Sequence, residues 1–541
     1  MRFTTFPVLA VLAATTALVP ACTNPTGSAS TARCEELIGE YGVPDAATRV
    51  TQATTVAASG GKPERCDIRG TVAPAVRFRL ELPTTTFNGR YLQYGCFGFC
   101  GRLEEPAAPD CGPARTGDFA VATTDDGHIL ESAATQGIFG RDDQAARDDW
   151  FFRAPHVVAK ASKHLIDVFY GSPPTRAYFS GCSNGGREGL LLAQRYPQDF
   201  DGIIVGDPVN YLGPLGGVSE TWRARTNLRV DGSPVLTDEK LPALHRAVLA
   251  ICDALDGLAD EQIDEPRACH FDPATLTCPP GTDDSGCLTP EQVIATRALY
   301  AGPTDAEGRR LYVGGQPYGS ELAWAGFITP KPGFGVSLSA SVADNYLRYV
   351  GYPIGTQHSS VSEFTFTEEE LRRLTTEGAK GNAMSLDLTE FRYAGGKLIL
   401  WHGWADQDLP PTATIDYYHR MAQRMGGVHE TRSWARLFMV PSMYHCTGGY
   451  RLTEFDPFAA LVEWVEDDTA PDHIIATGRD ETGAITRARP VFPHPLIAAY
   501  DGDGSIDDAG NFAPAQPSAP LPDTIDWLGT YLHDIPGPTA P

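Results

Sequence analysis

Residues 181–186 read Gly-Cys-Ser-Asn-Gly-Gly, after a short strand-like run at 177–180 and before a helical stretch reaching Tyr196. This context puts Ser183 on a tight turn between a strand and a helix. A serine hydroxyl projects above a sheet edge only from a sharp, strained turn, and Gly181 and Gly185 keep side chains from colliding there. The helix that follows aims its amide N–H groups at the serine, which favours negative charge on a nearby oxygen. Further apolar runs at 202–206, 397–401 and 435–440 read as buried strands, with helices expected near 411–425 and 457–465. Strands alternating with helices imply a mostly parallel α/β sheet. Upstream, 76–82 and 91–94 read as strands flanking Asn88-Gly89, a hairpin-type turn.

A serine nucleophile needs a base, and the base needs an orienting acid. With this type of elbow the chain order is serine, acid, histidine. Asp406 follows the 397–401 run, and His445 follows the 435–440 run. Asp408 is better spaced to cap the helix beginning near Pro411, which leaves Asp406 as the acid. Cys182 adjoins Ser183 and Cys446 adjoins His445. If serine and histidine touch, these cysteines come within bonding reach. Their bridge would close a loop of about 265 residues, worth up to roughly 5–6 kcal/mol by chain-entropy arithmetic. Oxyanion donors are expected from the backbone N–H of Asn184, the residue after the nucleophile, and from the glycine loop at 95–101, where Gly98 is chosen.

Composition narrows the partners. The 541 residues are 42% hydrophobic and 21% charged, enough apolar material for a large core. Lys and Arg number 43 against 68 Asp and Glu, a net charge of −25, which argues against nucleic acid or anionic lipid as a partner. Arg2 precedes an apolar run at 6–19, too short to span a bilayer and suited to a signal peptide. Residues 1–22 are therefore read as a signal. Residues 19–22 also resemble a lipoprotein box in which Cys22 would carry lipid, although Pro20 fits it poorly. A secreted or periplasmic protein, lipid-anchored or free, is expected. Export makes disulfides the default use of the 12 cysteines. Cys278 with Cys287, and Cys252 with Cys269, can staple local loops. Cys96 and Cys100 suit a disulfide or free thiols better than a metal. The partners of Cys34, Cys66 and Cys111 are left open.

Residues 212–385 differ from the rest, with four cysteines, acidic loops and Pro/Gly-rich stretches. They are read as a lid inserted at the carboxyl edge of the sheet, splitting a catalytic domain at 23–211 and 386–541. Within them, 252–260 places three aspartates around Gly257. That pattern suits either Ca²⁺, which takes several oxygen ligands at flexible spacing, or an acidic solvated loop.

The set Cys182-Ser183, Asp406 and His445-Cys446, with the Asn88-Gly89-Arg90 turn, the 95–101 loop and the 487–502 stretch, resembles the tannase and feruloyl esterase family. That family spans galloyl, feruloyl and terephthalate esters. The resemblance implies an α/β-hydrolase fold with a large inserted lid. It implies Ser183 as nucleophile, His445 as base and Asp406 as its acid. It further implies a secreted serine esterase that cleaves small aromatic esters through an acyl-enzyme. A structural lid Ca²⁺ is implied on the side chains of Asp253, Asp256 and Asp260 and the carbonyls of Leu258 and Gln262. Two departures stand out. Cys96 and Cys100 lie in the glycine loop, and Phe492 and Ala513 occupy the places expected for the family's C-terminal disulfide. The competing reading is a catalytically silent binder of aromatic esters on the same scaffold; the presence of all three triad candidates argues against it.

Overall fold

The computed structural model describes residues 33–103, 117–130, 136–331, 335–517 and 519–534. Residues 1–22, read above as a signal, and Cys22 and Cys111 lie outside them. Ten strands make one sheet: β1 (Gly39–Tyr41), β2 (Thr48–Val56), β3 (Arg65–Val72), β4 (Val76–Pro83), β5 (Arg90–Tyr94), β6 (Phe119–Thr124), β7 (Arg176–Cys182), β8 (Gly202–Gly206), β9 (Lys397–Gly403) and β10 (Ala435–Val440). Their order is β1-β2-β3-β4-β6-β5-β7-β8-β9-β10. From β6 through β10 every pairing is parallel, whereas β1 to β4 and the β4–β6 pair are antiparallel. The sheet is thus mixed, with a parallel half that carries the site.

The parallel strands are apolar along their length because helices cover both faces. Alternate side chains leave on opposite sides. Phe179, Ile203 and Leu398 join one cluster, while Tyr178, Ile204 and Ile399 join the other. The first cluster is closed by α1 (Ala154–Tyr170), α2 (Asn184–Arg195) and α5 (Pro411–Arg424), the second by α6 (Phe458–Asp467). Helix α1 stops where Gly171 takes a φ of 82°, a left-handed cap that glycine adopts without strain. Between β8 and β9 the described chain adds no strand to the large sheet. It forms short helices instead, including α3 (Glu220–Thr226) and α4 (Leu241–Cys252).

The Asn88-Gly89 turn does not join a hairpin. β6 lies between β4 and β5, and β5 pairs in parallel with β6 and β7. The turn instead docks on the start of β7, where the Gly89 carbonyl accepts the N–H groups of Thr175 and Arg176 at 2.7 and 3.3 Å. Cys34–Cys66, Cys252–Cys269 and Cys278–Cys287 are disulfides.

Candidate active site

Ser183 sits between β7 and α2 with φ 62° and ψ −121°, a conformation that side chains other than glycine rarely adopt. The turn closes because its glycines have no Cβ. A Cβ on Gly181 would lie 2.4 Å from the Gly185 carbonyl carbon, and one on Gly186 2.3 Å from the Gly206 oxygen. Ser183 is buried at 8% exposure, yet it opens onto a pocket shared with Asn184 and Gly98. The two sequence-derived oxyanion donors therefore line the same space as the serine.

Asp406 and His445 come from the loops after β9 and β10. His445 Nδ1 lies 2.7 Å from Asp406 Oδ2. The other oxygen, Oδ1, accepts the N–H groups of Asp408 and Leu409 at 2.7 and 2.8 Å, which fixes the carboxylate in one plane. Burial works against ionising Asp406, but His445 and His402 outweigh it and hold the carboxyl well below its ordinary range. For His445, burial favours the neutral ring. The Asp406 carboxylate, followed by Asp408 and Asp207, overcomes this and lifts the imidazole to about 10. Among the described residues the Ser183 hydroxyl makes no hydrogen bond, and His445 Nε2 instead lies 3.6 Å from Asp408 Oδ2. Catalytic hydrogen bonds are often loose until substrate arrives.

Cys182 and Cys446 form a disulfide with Cα atoms 5.9 Å apart, tying the serine turn to the histidine loop across 264 residues of sequence. Cys96 and Cys100 also form a disulfide, in the glycine loop above Asn184. Asp408 does not cap α5. Pro410 holds the cap position with no side-chain bond, and the Asp408 carboxylate turns towards His445 and Arg223.

Three buried groups were not singled out by the sequence. Asp207, just after β8, accepts the Gly403 N–H at 2.8 Å and the Cys446 N–H at 2.6 Å. It thereby pins the loops that carry Asp406 and His445, and burial pushes its carboxyl up to about 6. Its position at the carboxyl end of a buried strand was the available signal. His402 places Nε2 3.2 Å from Asp406 Oδ2. Glu188, one turn into α2, accepts from Asn184 Nδ2 at 2.7 Å and from the Cys96 N–H at 3.3 Å.

The acidic loop after α4 folds around Asp253, whose Oδ1 accepts the N–H groups of Asp260 and Gln262 at 3.1 and 3.2 Å. Asp256 accepts the Leu258 N–H at 2.9 Å. Asp256 reaches the surface, and partial loss of its hydration, then the charge of Asp264, raise its carboxyl, with Asp260 and Asp253 adding to the rise. Asp260 Oδ2 is paired with Arg489 at 2.7 Å and Arg487 at 3.1 Å. Among the described residues, the sets of His, Cys, Asp and Glu whose ligand atoms lie within 4.8 Å of one another are at Cys96/Cys100/Asp126/Glu188, Cys182/Asp207/Cys446 and Asp207/His402/Asp406. The acidic loop is not one of them, and the cysteines of the first two are spent in disulfides.

A family model described as tannase and feruloyl esterase matches residues 60–515. Mono(2-hydroxyethyl) terephthalate hydrolase of Piscinibacter sakaiensis is 34% identical over 563 residues, covering 90% of this chain and 92% of that protein. The probable feruloyl esterase B of Emericella nidulans is 29% identical, covering 78% of this chain and 80% of that protein. Of solved structures, feruloyl esterase B from Aspergillus oryzae superposes with a TM-score of 0.78 at 23% identity, over 90% of this chain and all of that one. Tannin acyl hydrolase from Aspergillus niger gives 0.67 at 22% identity, over 91% and 94%. The fold is that of the α/β-hydrolases.

Proposed function

Because the chain belongs to the tannase and feruloyl esterase family and is a carboxylic-ester hydrolase, we propose that it cleaves aromatic esters through an acyl-enzyme on Ser183. The observation that carries this reading is the strained Ser183 turn tied by Cys182–Cys446 to a histidine already bonded to Asp406 at 2.7 Å. In it, Ser183 Oγ attacks the ester carbonyl as His445 Nε2 takes its proton. The N–H groups of Asn184 and Gly98 receive the oxyanion, and His445 returns the proton to the departing alcohol. Water then repeats the sequence on the acyl-enzyme. Residues 212–385 act as the lid, since Leu212, Leu215, Val342 and Tyr346 wall the pocket beside Ser183. The binder reading is not favoured, because a silent scaffold has no use for a bonded His–Asp pair beside an elbow serine. Turnover of methyl ferulate, methyl gallate and a terephthalate monoester by purified protein tests the proposal. Hydrolysis of at least one is expected, and failure on all three while simple alkyl esters are cleaved would overturn it.

His445 acts as a base only when neutral. Its raised pKa therefore moves the acid limb of kcat/KM above the 6.5 of an ordinary histidine. The neutral fraction grows as pH climbs towards that value, so kcat/KM is expected to rise at least about tenfold from pH 6.5 to 8.5. A midpoint at or below 6.5 would contradict it.

The N-terminal signal pattern and the disulfides support export, with Cys22 the residue that a lipid anchor would use. Calcium is proposed for the acidic loop. Asp253, Asp256 and Asp260 would hold it with the carbonyls of Leu258 and Gln262, and the like charges of Asp264, Asp260 and Asp253 that help raise the Asp256 carboxyl suit a cation there. The ion would brace the lid and take no part in the chemistry. Binding to the folded state alone adds about 2.7 kcal/mol at free calcium a hundredfold above Kd. Chelation is expected to lower the melting temperature and calcium to restore it. Unchanged melting, with no calcium by elemental analysis, would make this an acidic turn.

A further inference from the structure

Gly98 lines the pocket beside Ser183, yet it stands at the exposed tip of a loop. After β5 the chain turns through 95–101 over the start of α2. The loop is anchored at both ends. A Cβ on Gly95 would lie 2.5 Å from the Gly185 Cα, so this end packs directly on the serine turn. At the other end the Gly101 N–H donates to the Asp125 carbonyl at 3.0 Å. Between the anchors Phe97 and Gly98 are exposed, and Gly98 takes a φ of 56°. One backbone bond spans the tip, from the Cys100 N–H to the Phe97 carbonyl at 2.9 Å. The Gly98 N–H donates to no protein group among the described residues, which leaves it free for a substrate oxygen.

The Cys96–Cys100 disulfide turns residues 96–100 into a covalent ring with Gly98 at its centre. As a brace for the whole fold such a ring is weak. A crosslink between residues four apart removes little freedom from the unfolded chain, because loop-closure entropy grows with loop length. The bridge across 264 residues, Cys182–Cys446, is the strong brace. What the small ring does touch is the other oxyanion donor. Asn184 Nδ2 lies 3.4 Å from Cys96 Sγ and 3.2 Å from Cys100 Sγ, while it donates to Glu188 Oε1 at 2.7 Å. Glu188 Oε2 accepts the Cys96 N–H at 3.3 Å. Phe99, inside the ring, is buried and stacks on Trp150 with centroids 5.1 Å apart. The ring, Glu188 and the first turn of α2 thus form one unit that carries the N–H groups of both Gly98 and Asn184.

Resting on the reading of Gly98 and Asn184 as oxyanion donors to chemistry on Ser183, we propose that the Cys96–Cys100 bridge is a positioning element of the oxyanion hole, holding the exposed Gly98 N–H in place beside that of Asn184. A donor fixed before the reaction needs no reordering as negative charge develops, whereas a loose tip must be ordered in the transition state. The ester carbonyl of bound substrate carries little of that charge. The bridge therefore acts on kcat, and scarcely on KM or on the stability of the fold.

The double variant Cys96→Ser/Cys100→Ser tests this, on whichever of methyl ferulate, methyl gallate and a terephthalate monoester the wild-type enzyme cleaves best. Deleting one oxyanion donor costs about 10²- to 10³-fold in kcat, so loosening one is expected to cost at least about tenfold. KM should stay within about threefold and the melting temperature within about 5 °C. Inhibition by an aryl trifluoromethyl ketone, which adds to the serine as a tetrahedral oxyanion, should weaken by the same factor as kcat/KM. If the serine pair does not fold, Cys96→Ala/Cys100→Ala takes its place, and if neither folds the bridge belongs to the fold and the proposal falls. A kcat reduced less than tenfold, a loss carried by KM, or a free thiol at Cys96 or Cys100 in a non-reducing peptide map would overturn it as well. In those cases wild-type turnover, with Ser183 the labelled residue, leaves the esterase reading intact. No wild-type turnover of any of the three esters would overturn that reading and this inference together.

Discussion

Ser183→Ala is expected to lower kcat for ester hydrolysis by about 10⁴-fold or more, with little change in stability. The substitution removes the atom that forms the proposed acyl-enzyme and nothing the fold depends on. The hydroxyl makes no hydrogen bond among the described residues, and alanine meets the same backbone strain at φ 62° as serine. The change in unfolding free energy should stay within about 0.5 kcal/mol, the usual range for a substitution that breaks no contact. Steady-state kinetics and a melting curve on the same preparation check both halves. Activity within tenfold of wild type would remove Ser183 from the chemistry.

Asp406→Asn is expected to lower kcat by about 10³- to 10⁴-fold, because it changes which ring nitrogen of His445 carries the proton. As a carboxylate, Asp406 accepts from Nδ1 at 2.7 Å, leaving Nε2 free to take the serine proton. An asparagine that turns its N–H towards Nδ1 forces the proton onto Nε2. Its oxygen still accepts the N–H groups of Asp408 and Leu409, so the loop keeps its shape. The same substitution removes the largest charge holding up the imidazolium. What activity remains should therefore show its acid limb at lower pH than wild type. A loss of less than tenfold would hand the role to Asp207 or Asp408.

The parts of the site legible in the sequence are those set by local geometry. A glycine-flanked serine after a strand announces its own turn. Asp406 and His445 stand at the ends of two apolar strands, and the cysteines beside Ser183 and His445 gave a reason for those loops to meet. What escaped depends on partners far along the chain. Asn88-Gly89 is a sound turn, but whether its strands pair directly depends on β6, whose insertion between them no local pattern encodes. β2 is rich in threonine and polar residues, so its half-buried alternation is faint in TRVTQATTV. Asp207 is held by backbone N–H groups of Gly403 and Cys446, which leave no side-chain signature. Asp408 looked like a helix cap until Pro410 took that place, and only the fold sets it beside His445 and Arg223.

Covalent labelling tests the central claim most directly. The purified enzyme is incubated with an aryl fluorophosphonate, residual ester hydrolysis is followed, and the digest is mapped by mass spectrometry. The account predicts one adduct, on the peptide carrying Ser183, growing in step with lost activity and absent from Ser183→Ala. Inactivation with Ser183 unmodified, or full activity with Ser183 fully modified, would contradict it.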